Sequence, residues 1–440
     1  MQQNNGTLDL NDIGEEMYGM VNELFPVCRS ITGDGVRSTL ERIQQEIPIT
    51  IHEVPSGTRV FDWHVPREWN ISDAYVITPA GKKIAEFKKN NLHVLNYSIP
   101  IHKKVTLDEL RQHLFTLPAH PDWIPYRTSY YKENWGFCIT HNQMQSLPDG
   151  EYEVFIDTTL EQGHLTYGEF FIQGDTNEEV LVSCHVCHPS LCNDNLSGIA
   201  LSTYLAEYLD KQRPRYSYRF LFIPGTIGSI TWLARNEEKT KNIKHGLVVT
   251  CVGDGGPFSY KKSRRGSAEI DRAVLHVLRN TRGNFREIDF YPYGYDERQY
   301  CSPGFNLAVG SLTRSSHGQF PEYHTSADNL ELVRPQFLKE SFETFLDVID
   351  VLENNRRFMN LNPKCEPQLG KRGLYNSVGG PEGYKIKEMA LLWVLNMSDG
   401  EHDLLDIAER SGESFRDIKN AARALLDCEL LKDMGGLKVT

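Results

Sequence analysis

Apolar positions in the second half of the chain form two alternating patterns. Short runs that are mostly apolar are typical of strands buried on both faces, and they occupy residues 180–186, 218–223, 247–252 and 307–312. A further predicted strand, at 286–291, mixes three charged residues with Ile288, Phe290 and Tyr291. Apolar side chains at helical spacing occupy residues 196–209, 227–234, 268–279 and 336–352 between and after these runs. This alternation predicts an α/β fold, in which a largely parallel mixed sheet is sandwiched by helices.

The first part of the chain has a different pattern of apolar and polar residues. Residues 11–46 follow a helical pattern that breaks at the turn-rich stretch 29–35. Short β-rich runs separated by proline and glycine turn signals follow, at 73–78, 85–87, 93–99, 135–140, 151–156 and 167–173. We therefore expect an α/β domain made of residues 1–55 and 165–360, with a β-rich, mostly antiparallel domain inserted at 56–164.

The end of the chain predicts a winged-helix domain over residues 375–440. Helical patterns at 386–395, 403–409 and 415–431 precede a short strand-like run at 437–439. Residues 384–440 contain eight lysines and arginines against eleven aspartates and glutamates. Because DNA binding needs several uncompensated cations, this balance favours protein docking or self-association, with DNA binding as the minority alternative.

Composition indicates which classes of binding partner and which cellular compartment to expect. The 440 residues include 47 Lys and Arg against 59 Asp and Glu, a formal net charge of −12, which disfavours nucleic acid and anionic membranes as partners. The polar, acidic N-terminus does not resemble a secretory signal, and we expect no membrane helix. Nine cysteines, an odd number, disfavour a disulfide framework and favour a cytoplasmic protein.

Residues 183–198 carry the most informative chemistry. An apolar strand runs into His185, a polar loop follows, and Asp194 stands at the start of the next helix. Ligand sites in open α/β sheets lie beyond the carboxyl ends of the strands. His324 lies in another loop that follows a predicted strand. Imidazole and carboxylate groups converging at such an edge predict a Zn²⁺ site of His185, Asp194 and His324.

Two structural alternatives compete with this interpretation. The first is a zinc knot built from the cysteines and histidines of 184–192, which is disfavoured because successive strand residues point to opposite faces. In the second, His185 is a hydrogen-bonded core residue and Asp194 is a helix cap.

The same residues resemble a known group of enzymes. His185, the stretch Asp194-Asn195-Leu196-Ser197-Gly198 and His324-Thr325-x-x-Asp328 look like the core of the zinc-dependent aminopeptidase (M28-like exopeptidase) superfamily. The whole layout resembles bacterial aminopeptidase-like proteins with an inserted β-rich domain and a C-terminal winged helix, some linked to polysaccharide biosynthesis. The resemblance implies zinc bound by His185, Asp194 and His324.

The chain departs from the superfamily pattern at the remaining metal ligands. The expected Glu-Glu pair is replaced by residues 223–229, which contain no acid, and Thr250 stands where a further acidic ligand is expected. One zinc ion is therefore favoured over two. Candidates for the base that takes a proton from zinc-bound water are Glu297, which we prefer, and Glu322, which is two residues from His324.

Further residues are candidates for substrate binding. Arg29 and Arg298 could each clamp a carboxylate or phosphate, His188 could orient the substrate, and Asp254 lies in a glycine-rich turn that allows close backbone approach. Three aromatic residues could form an apolar wall or belong to the β-module core: Tyr130, Tyr131 and Trp135.

The sequence thus predicts a zinc-dependent hydrolase that cleaves a peptide N-terminus or a related amide. Because the Glu-Glu pair is missing, the alternative is a catalytically inactive peptidase-fold scaffold or regulator that acts through its winged helix.

Overall fold

A computed structural model describes residues 10–374 and 388–435. Contacts within the chain divide these residues into two units. The first unit contains residues 10–268 and 285–343, and the second contains 269–284, 344–374 and 388–435. The domain boundaries expected from the sequence remain a prediction.

An eight-stranded mixed sheet forms the core of the first unit. In spatial order its strands are Thr50–Pro55, His164–Ile172, Ser217–Ile223, Glu179–His185, Ile243–Val249, Val309–Thr313, Phe258–Lys261 and Phe285–Ile288. The third to sixth strands of this order run parallel. All residues of Glu179–His185 and Ser217–Ile223 are buried, as expected for strands covered on both faces. The predicted α/β fold is confirmed.

Helices of the first unit follow the predicted alternation. They are Ile13–Leu24, Asp34–Ile43, Ser197–Asp210, Ile227–Arg235, Glu237–Thr240, Glu297–Tyr300 and the first part of Pro335–Asn354. The helix Ser197–Asp210 contacts both the strand Glu179–His185 and the helix Ile13–Leu24. The strands Thr50–Pro55 and Phe258–Lys261 were not predicted.

A separate four-stranded antiparallel sheet lies within the predicted β-rich segment. Its order is Lys83–Ile84, Glu68–Ile77, Glu151–Glu161 and Ile101–Thr106, and the short helices Leu107–Arg111 and His141–Gln145 belong to the same segment. The predicted strand at 93–99 is wrong, because Asn90 caps a turn of 3₁₀ helix at Asn91–His93. The strand at 101–106 was missed because three consecutive exposed polar residues, 102–104, hide its pattern.

The second unit contains the helix Glu269–Thr281, the end of Pro335–Asn354 and a small mixed module. The module has a three-stranded antiparallel sheet in the order Asp399–Asp403, Arg357–Asn360 and Leu431–Asp433. Its helices are Glu388–Met397, Leu404–Ser411 and Phe415–Asp427. The last helix ends before the predicted residue 431, because Leu431–Asp433 pairs with Arg357–Asn360. The predicted strand at 437–439 lies outside the described residues.

Helix ends in this module are set by local side-chain bonds. Asp403 and Asp406 form a reciprocal capping box at the start of Leu404–Ser411, and Gly412 ends that helix with a φ of 73°.

Over residues 10–374 and 388–435, no helix is both long enough and apolar enough to cross a membrane.

Candidate metal centre and the adjoining cavity

The centre lies where the parallel strands end. His185 is the last residue of Glu179–His185, in register with Ile223 at the end of the neighbouring parallel strand. The loops at 250–257 and 314–328 follow Ile243–Val249 and Val309–Thr313, so they leave the sheet at the same edge. The local sequence thus brings three loops together at one edge of the sheet.

The carboxylate of Asp194 lies between two imidazoles. His185 Nε2 is 2.9 Å from Asp194 Oδ1, and His324 Nε2 is 3.0 Å from Asp194 Oδ2. Asp194 is fully buried and bonds no backbone N–H of the following helix, so the helix-cap alternative does not describe it. The structure therefore brings together the three residues predicted as metal ligands.

Asp328 fixes the loop that carries Asp194. Its two carboxylate oxygens accept the backbone N–H groups of Asn193 at 2.6 Å and of Asp194 at 3.0 Å. A side chain at Gly198 would place its Cβ 2.3 Å from Asn195 Oδ1, so only glycine allows this close packing. The last residues of both sequence motifs thus position Asp194.

His188 also faces the Asp194 carboxylate, with 3.8 Å between its Nε2 and Oδ2. Arg29 holds the backbone of this loop from behind. Its guanidinium donates to the carbonyl oxygens of His188 at 2.7 Å, Pro189 at 3.0 Å and Leu24 at 2.9 Å. Burial lowers the pKa of Arg29 to about 10, which leaves it protonated at neutral pH.

The side chains that face the Asp194 carboxylate among the described residues are imidazoles. Burial raises the pKa of Asp194, but His188, His185 and His324 together hold it well below its usual value. Burial also holds the pKa of His188 well below its usual value. In the described part of the chain, no lysine or arginine bonds the Asp194 carboxylate. A buried carboxylate surrounded by imidazole nitrogens fits a divalent cation.

Two sets of ligand atoms within the described residues lie within 4.8 Å of one another. One contains His185, His188 and Asp194, and the other contains Asp194, Cys251 and His317. His324 belongs to neither set, although it bonds Asp194, so the predicted trio remains a prediction. Neither set has the composition of the structural zinc knot.

Cys251 and His317 were missed by the sequence analysis. Cys251 was included in a predicted strand, but the strand ends at Val249 and Cys251 has a φ of 50°, outside the β region. His317 lies in a polar loop that follows the strand Val309–Thr313. The strand-end rule that identified His324 applies equally to His317 and would have found it.

A cavity of about 340 Å³ adjoins the centre. His188, His317 and His324 line it, and Tyr126 and Tyr130 from the β-rich segment line another part. Further lining comes from Gly225, Thr226, Tyr291, Tyr293, Tyr295 and Tyr323. The cavity is therefore aromatic, with imidazoles on one side, as is typical of a ligand site with a few convergent polar groups.

Glu297, the preferred catalytic base, lines this cavity and is buried. Its Oε1 accepts a 2.8 Å hydrogen bond from Lys261, and its Oε2 accepts a 3.0 Å bond from the backbone N–H of Tyr295. Arg298 lines the cavity too, and its buried Nε has no hydrogen-bond partner among the described residues.

Other predicted site residues do not line the cavity. Arg29 is buried behind the loop, and Asp254 is buried and accepts a hydrogen bond from Ser315. Glu322 is half-buried, and its backbone carbonyl accepts hydrogen bonds from the hydroxyl and the backbone N–H of Thr325.

The three aromatic candidates, Tyr130, Tyr131 and Trp135, lie in different environments. Tyr130 lines the cavity and lies 3.0 Å from the hydroxyl of Tyr126, whereas Trp135 is a buried core residue and Tyr131 is 53% exposed. Gly225 and Thr226, which lie in the acid-free stretch 223–229, line the cavity without supplying a carboxylate.

Comparisons with known proteins support this fold assignment. A relative from Clostridium acetobutylicum, named "Putative polysaccharide biosynthesis protein with aminopeptidase-like domain", is 58% identical over 422 residues, covering 96% of this chain and 97% of the relative. A crystal structure of a "putative peptidase" from the same organism has a TM-score of 0.92 and 56% identity, covering 97% of this chain and 98% of that one.

More distant structures share the fold over about three quarters of this chain. The zinc aminopeptidase BSAP of Bacillus subtilis has a TM-score of 0.56 at 12% identity, over 77% of this chain and 94% of that one. A peptidase M28 precursor from Shewanella amazonensis has a TM-score of 0.56 at 13% identity, over 78% of this chain and 95% of that one. The resemblance to the M28-like aminopeptidase superfamily is thus confirmed as a likeness of fold.

Family models account for nearly all of the described chain. The model described as "Domain of unknown function (DUF4910)" matches residues 18–355, and a winged helix-turn-helix model matches residues 356–433. The chain therefore belongs to the DUF4910 family, with an aminopeptidase-like fold followed by a winged helix.

Proposed function

We propose that this protein is a zinc-dependent hydrolase of the aminopeptidase type, which removes the N-terminal residue of a peptide or cleaves a related amide. The observation that carries the proposal is the buried Asp194 carboxylate, bonded by His185 and His324 beside an aromatic cavity. Bound zinc would polarise the substrate carbonyl and lower the pKa of a coordinated water.

His185, Asp194 and His324 are the proposed zinc ligands, and His188 is close enough to Asp194 to join them. Imidazoles and a single carboxylate match the ligand types of catalytic zinc sites. The Asp328 carboxylate accepts a hydrogen bond from the backbone N–H of Asp194 and so fixes the loop that carries Asp194. We assign Arg29 a positioning role, because its guanidinium donates to three backbone carbonyl groups and to the Thr39 hydroxyl.

Glu297 is the proposed general base, because it supplies the one carboxylate among the residues that line the cavity. Lys261 and the backbone N–H of Tyr295 fix its orientation. After taking a proton from water, Glu297 can deliver it to the leaving amine. Glu322 is the second candidate base, but it does not line the cavity.

Arg298 and the tyrosines of the cavity define the substrate side. The guanidinium of Arg298 can bind a carboxylate or phosphate of the substrate, and the tyrosine rings can pack on a peptide or sugar ring. The related protein's name links it to polysaccharide biosynthesis. We therefore propose an amide-bearing metabolite of surface polysaccharide metabolism as one substrate class. Asp254 does not line the cavity, but it accepts a hydrogen bond from Ser315, which precedes the lining residue Ser316.

All nine cysteines, which the structure describes, are free thiols. We propose on this basis that the protein acts in the reducing cytoplasm.

The test compares Glu297→Gln with Glu322→Gln on a panel of aminoacyl amides and acetamido-sugar amides. Loss of a general base costs about 10²- to 10⁴-fold in rate. We expect this loss in Glu297→Gln, with zinc content unchanged, and near wild-type activity in Glu322→Gln. Equal activity of both variants would reject Glu297 as the base.

A second candidate function is a catalytically inactive scaffold. It is favoured by the absence of an acid at 223–229, where the superfamily carries its base, and by the ion pair that Lys261 forms with Glu297. The winged helix would then supply a surface for a protein partner or for self-association. Indifference of all function to chelation, together with no turnover of any amide on the panel, would favour the scaffold.

A further inference from the structure

One wall of the cavity is formed by a row of side chains on neighbouring strands. Ser311 pairs directly with Lys261 on the adjacent antiparallel strand, and Lys261 pairs with Ile288 on the strand beyond it. Directly paired residues point to the same face of a sheet, and in an antiparallel pair their Cβ atoms are about 4.5–5.5 Å apart. All three residues line the cavity, so this row of the sheet faces the space where a substrate would bind.

The Ser311 hydroxyl lies in this wall without a hydrogen-bond partner. The residue is 4% exposed, and its buried Oγ bonds no group among the described residues. Thr313, two residues further along the same strand, also lines the cavity, but its hydroxyl donates to the Ser259 carbonyl oxygen at 3.4 Å. A buried hydroxyl without a partner is costly, so the free Ser311 hydroxyl indicates a group that binds there.

Arg298 adds an unpaired positive charge to the same cavity. Within residues 10–374 and 388–435 its guanidinium forms no ion pair, and its buried Nε has no hydrogen-bond partner. The neighbouring Glu297 pairs with Lys261 instead, at 2.8 Å. Arg298 lies on the short helix Glu297–Tyr300, which contacts the strand Val309–Thr313 that carries Ser311. The free cation and the free hydroxyl are therefore carried by two elements in contact.

Charges in the cavity lining favour a singly charged anion. Apart from histidines, the charged residues that line the cavity in the described chain are Lys261, Arg298 and Glu297, two cations and one anion. The Lys261 ammonium is occupied by Glu297 and by the Tyr293 carbonyl oxygen, each at 2.8 Å. The uncompensated charge is thus on Arg298. One carboxylate would balance it, whereas a phosphate, which carries nearly two negative charges at neutral pH, would exceed it.

We propose that Arg298 and Ser311 form a subsite for a carboxylate of the substrate, so that the hydrolase acts on amides that carry a free carboxylate. The planar guanidinium donates a pair of N–H groups to the carboxylate oxygens, and Ser311 donates its hydroxyl proton. Lys261 keeps its place beside Glu297. This inference rests on the proposed hydrolase function for its biological meaning, but the binding of a carboxylate needs no turnover and is tested separately.

Calorimetric titration of the zinc-loaded, full-length protein tests the subsite. The probes are N-acetylglycine, which has one carboxylate, and N-acetylglycinamide, which has nearly the same shape without the charge. Loss of a hydrogen bond to a charged group weakens binding about 10- to 100-fold. We expect N-acetylglycine to bind more tightly than the amide by about this factor. Arg298→Gln and Ser311→Ala should each weaken binding of N-acetylglycine and leave binding of the amide unchanged.

Thr313→Val is the matched control, because it removes a cavity hydroxyl that already has a partner on the same strand face. It should bind N-acetylglycine as wild type does. Ser311→Ala should be at least as stable as wild type in urea, since the hydroxyl that it removes bonds no described group. Equal binding of the two probes by wild type, or unchanged binding in Arg298→Gln and Ser311→Ala, overturns the subsite. Tighter binding of inorganic phosphate that is lost in Arg298→Gln would overturn the preference for a carboxylate.

Turnover separates failure of the subsite from failure of the hydrolase. Two substrate pairs place the carboxylate on either side of the amide: alanylglycine against alanylglycinamide, and glutamyl anilide against glutaminyl anilide. The kcat/KM should favour the carboxylate member of one pair by about tenfold or more, and Arg298→Gln should abolish that preference. Hydrolysis without any preference overturns the subsite and leaves the hydrolase standing. No turnover, with Arg298-dependent binding of N-acetylglycine intact, would reject the hydrolase and support the subsite.

Discussion

Asp328 offers a sharp test of how the centre is held, because it acts only on the backbone of the ligand loop. In wild-type protein its two carboxylate oxygens accept the N–H groups of Asn193 and Asp194 at 2.6 and 3.0 Å. In Asp328→Asn, one oxygen becomes an NH₂ group that cannot accept a hydrogen bond. One buried N–H therefore loses its partner, which costs about 1–3 kcal/mol.

This cost should appear in two measurements. The free energy of unfolding of chelated protein, followed in urea, should fall by about 1–3 kcal/mol. Zinc affinity, measured by competition with a chromophoric chelator, should fall about 10- to 100-fold, as is usual when a residue that orients a metal ligand is altered.

Glu179→Gln separates a local effect from general destabilisation. Glu179 begins the strand that ends at His185, and Arg219 bonds its carboxylate at 2.7 and 2.9 Å. This variant should lose stability but keep its zinc affinity, because the ion pair is at the far end of the strand. The reasoning is refuted if Asp328→Asn binds zinc as tightly as wild type, or if Glu179→Gln weakens binding equally.

Three further predictions concern packing and pH. Gly198→Ala should lower the free energy of unfolding by about 1–3 kcal/mol and weaken zinc binding, since its Cβ would lie 2.3 Å from Asn195 Oδ1. Gly19→Ala, in an exposed position of the helix Ile13–Leu24 with no atom near its Cβ, should raise the free energy by about 0.5–1 kcal/mol. Both are measured by urea unfolding, and an unchanged midpoint would contradict either one. Burial lowers the pKa of His245 to about 3, so this residue takes up a proton near pH 6.5 only when unfolded, and its contribution to stability is lost as the pH falls below that value. Between pH 8 and pH 5 chelated wild-type protein should lose about 2 kcal/mol more stability than His245→Gln, and parallel pH profiles would exclude this explanation.

Much of the fold could be predicted because strands that are buried on both faces of the sheet consist mostly of apolar residues, and such runs are easily recognised in the sequence. The strand Ser217–Ile223 has no exposed residue, and its sequence is mostly apolar although it contains Ser217 and Arg219. Ile101–Thr106 has three exposed polar residues in succession, and no local pattern distinguishes it from a loop. Its place is set by pairing with Glu151–Glu161, which is a contact distant in sequence.

The site was predicted only in part, because some of its residues are placed by contacts between distant parts of the chain. His185 and His324 follow recognisable strands, so the rule that ligands gather at strand ends locates them. Cys251 looked like one more apolar strand residue, and only its left-handed backbone removes it from the sheet. The role of Arg29 depends on contacts across 159 and 160 positions of the chain, which no spacing rule reveals.

The bonds of Arg29 bear on how the protein is made. The loop at His188 is supported by a residue near the start of the chain, while His324 is added 136 positions after His188. During synthesis His185 and His188 therefore leave the ribosome well before His324. All three imidazoles can contact the Asp194 carboxylate only after His324 has been added. Acquisition of the proposed zinc ion would thus be a late event, after synthesis has passed His324, and chains that stop before His324 should not bind it.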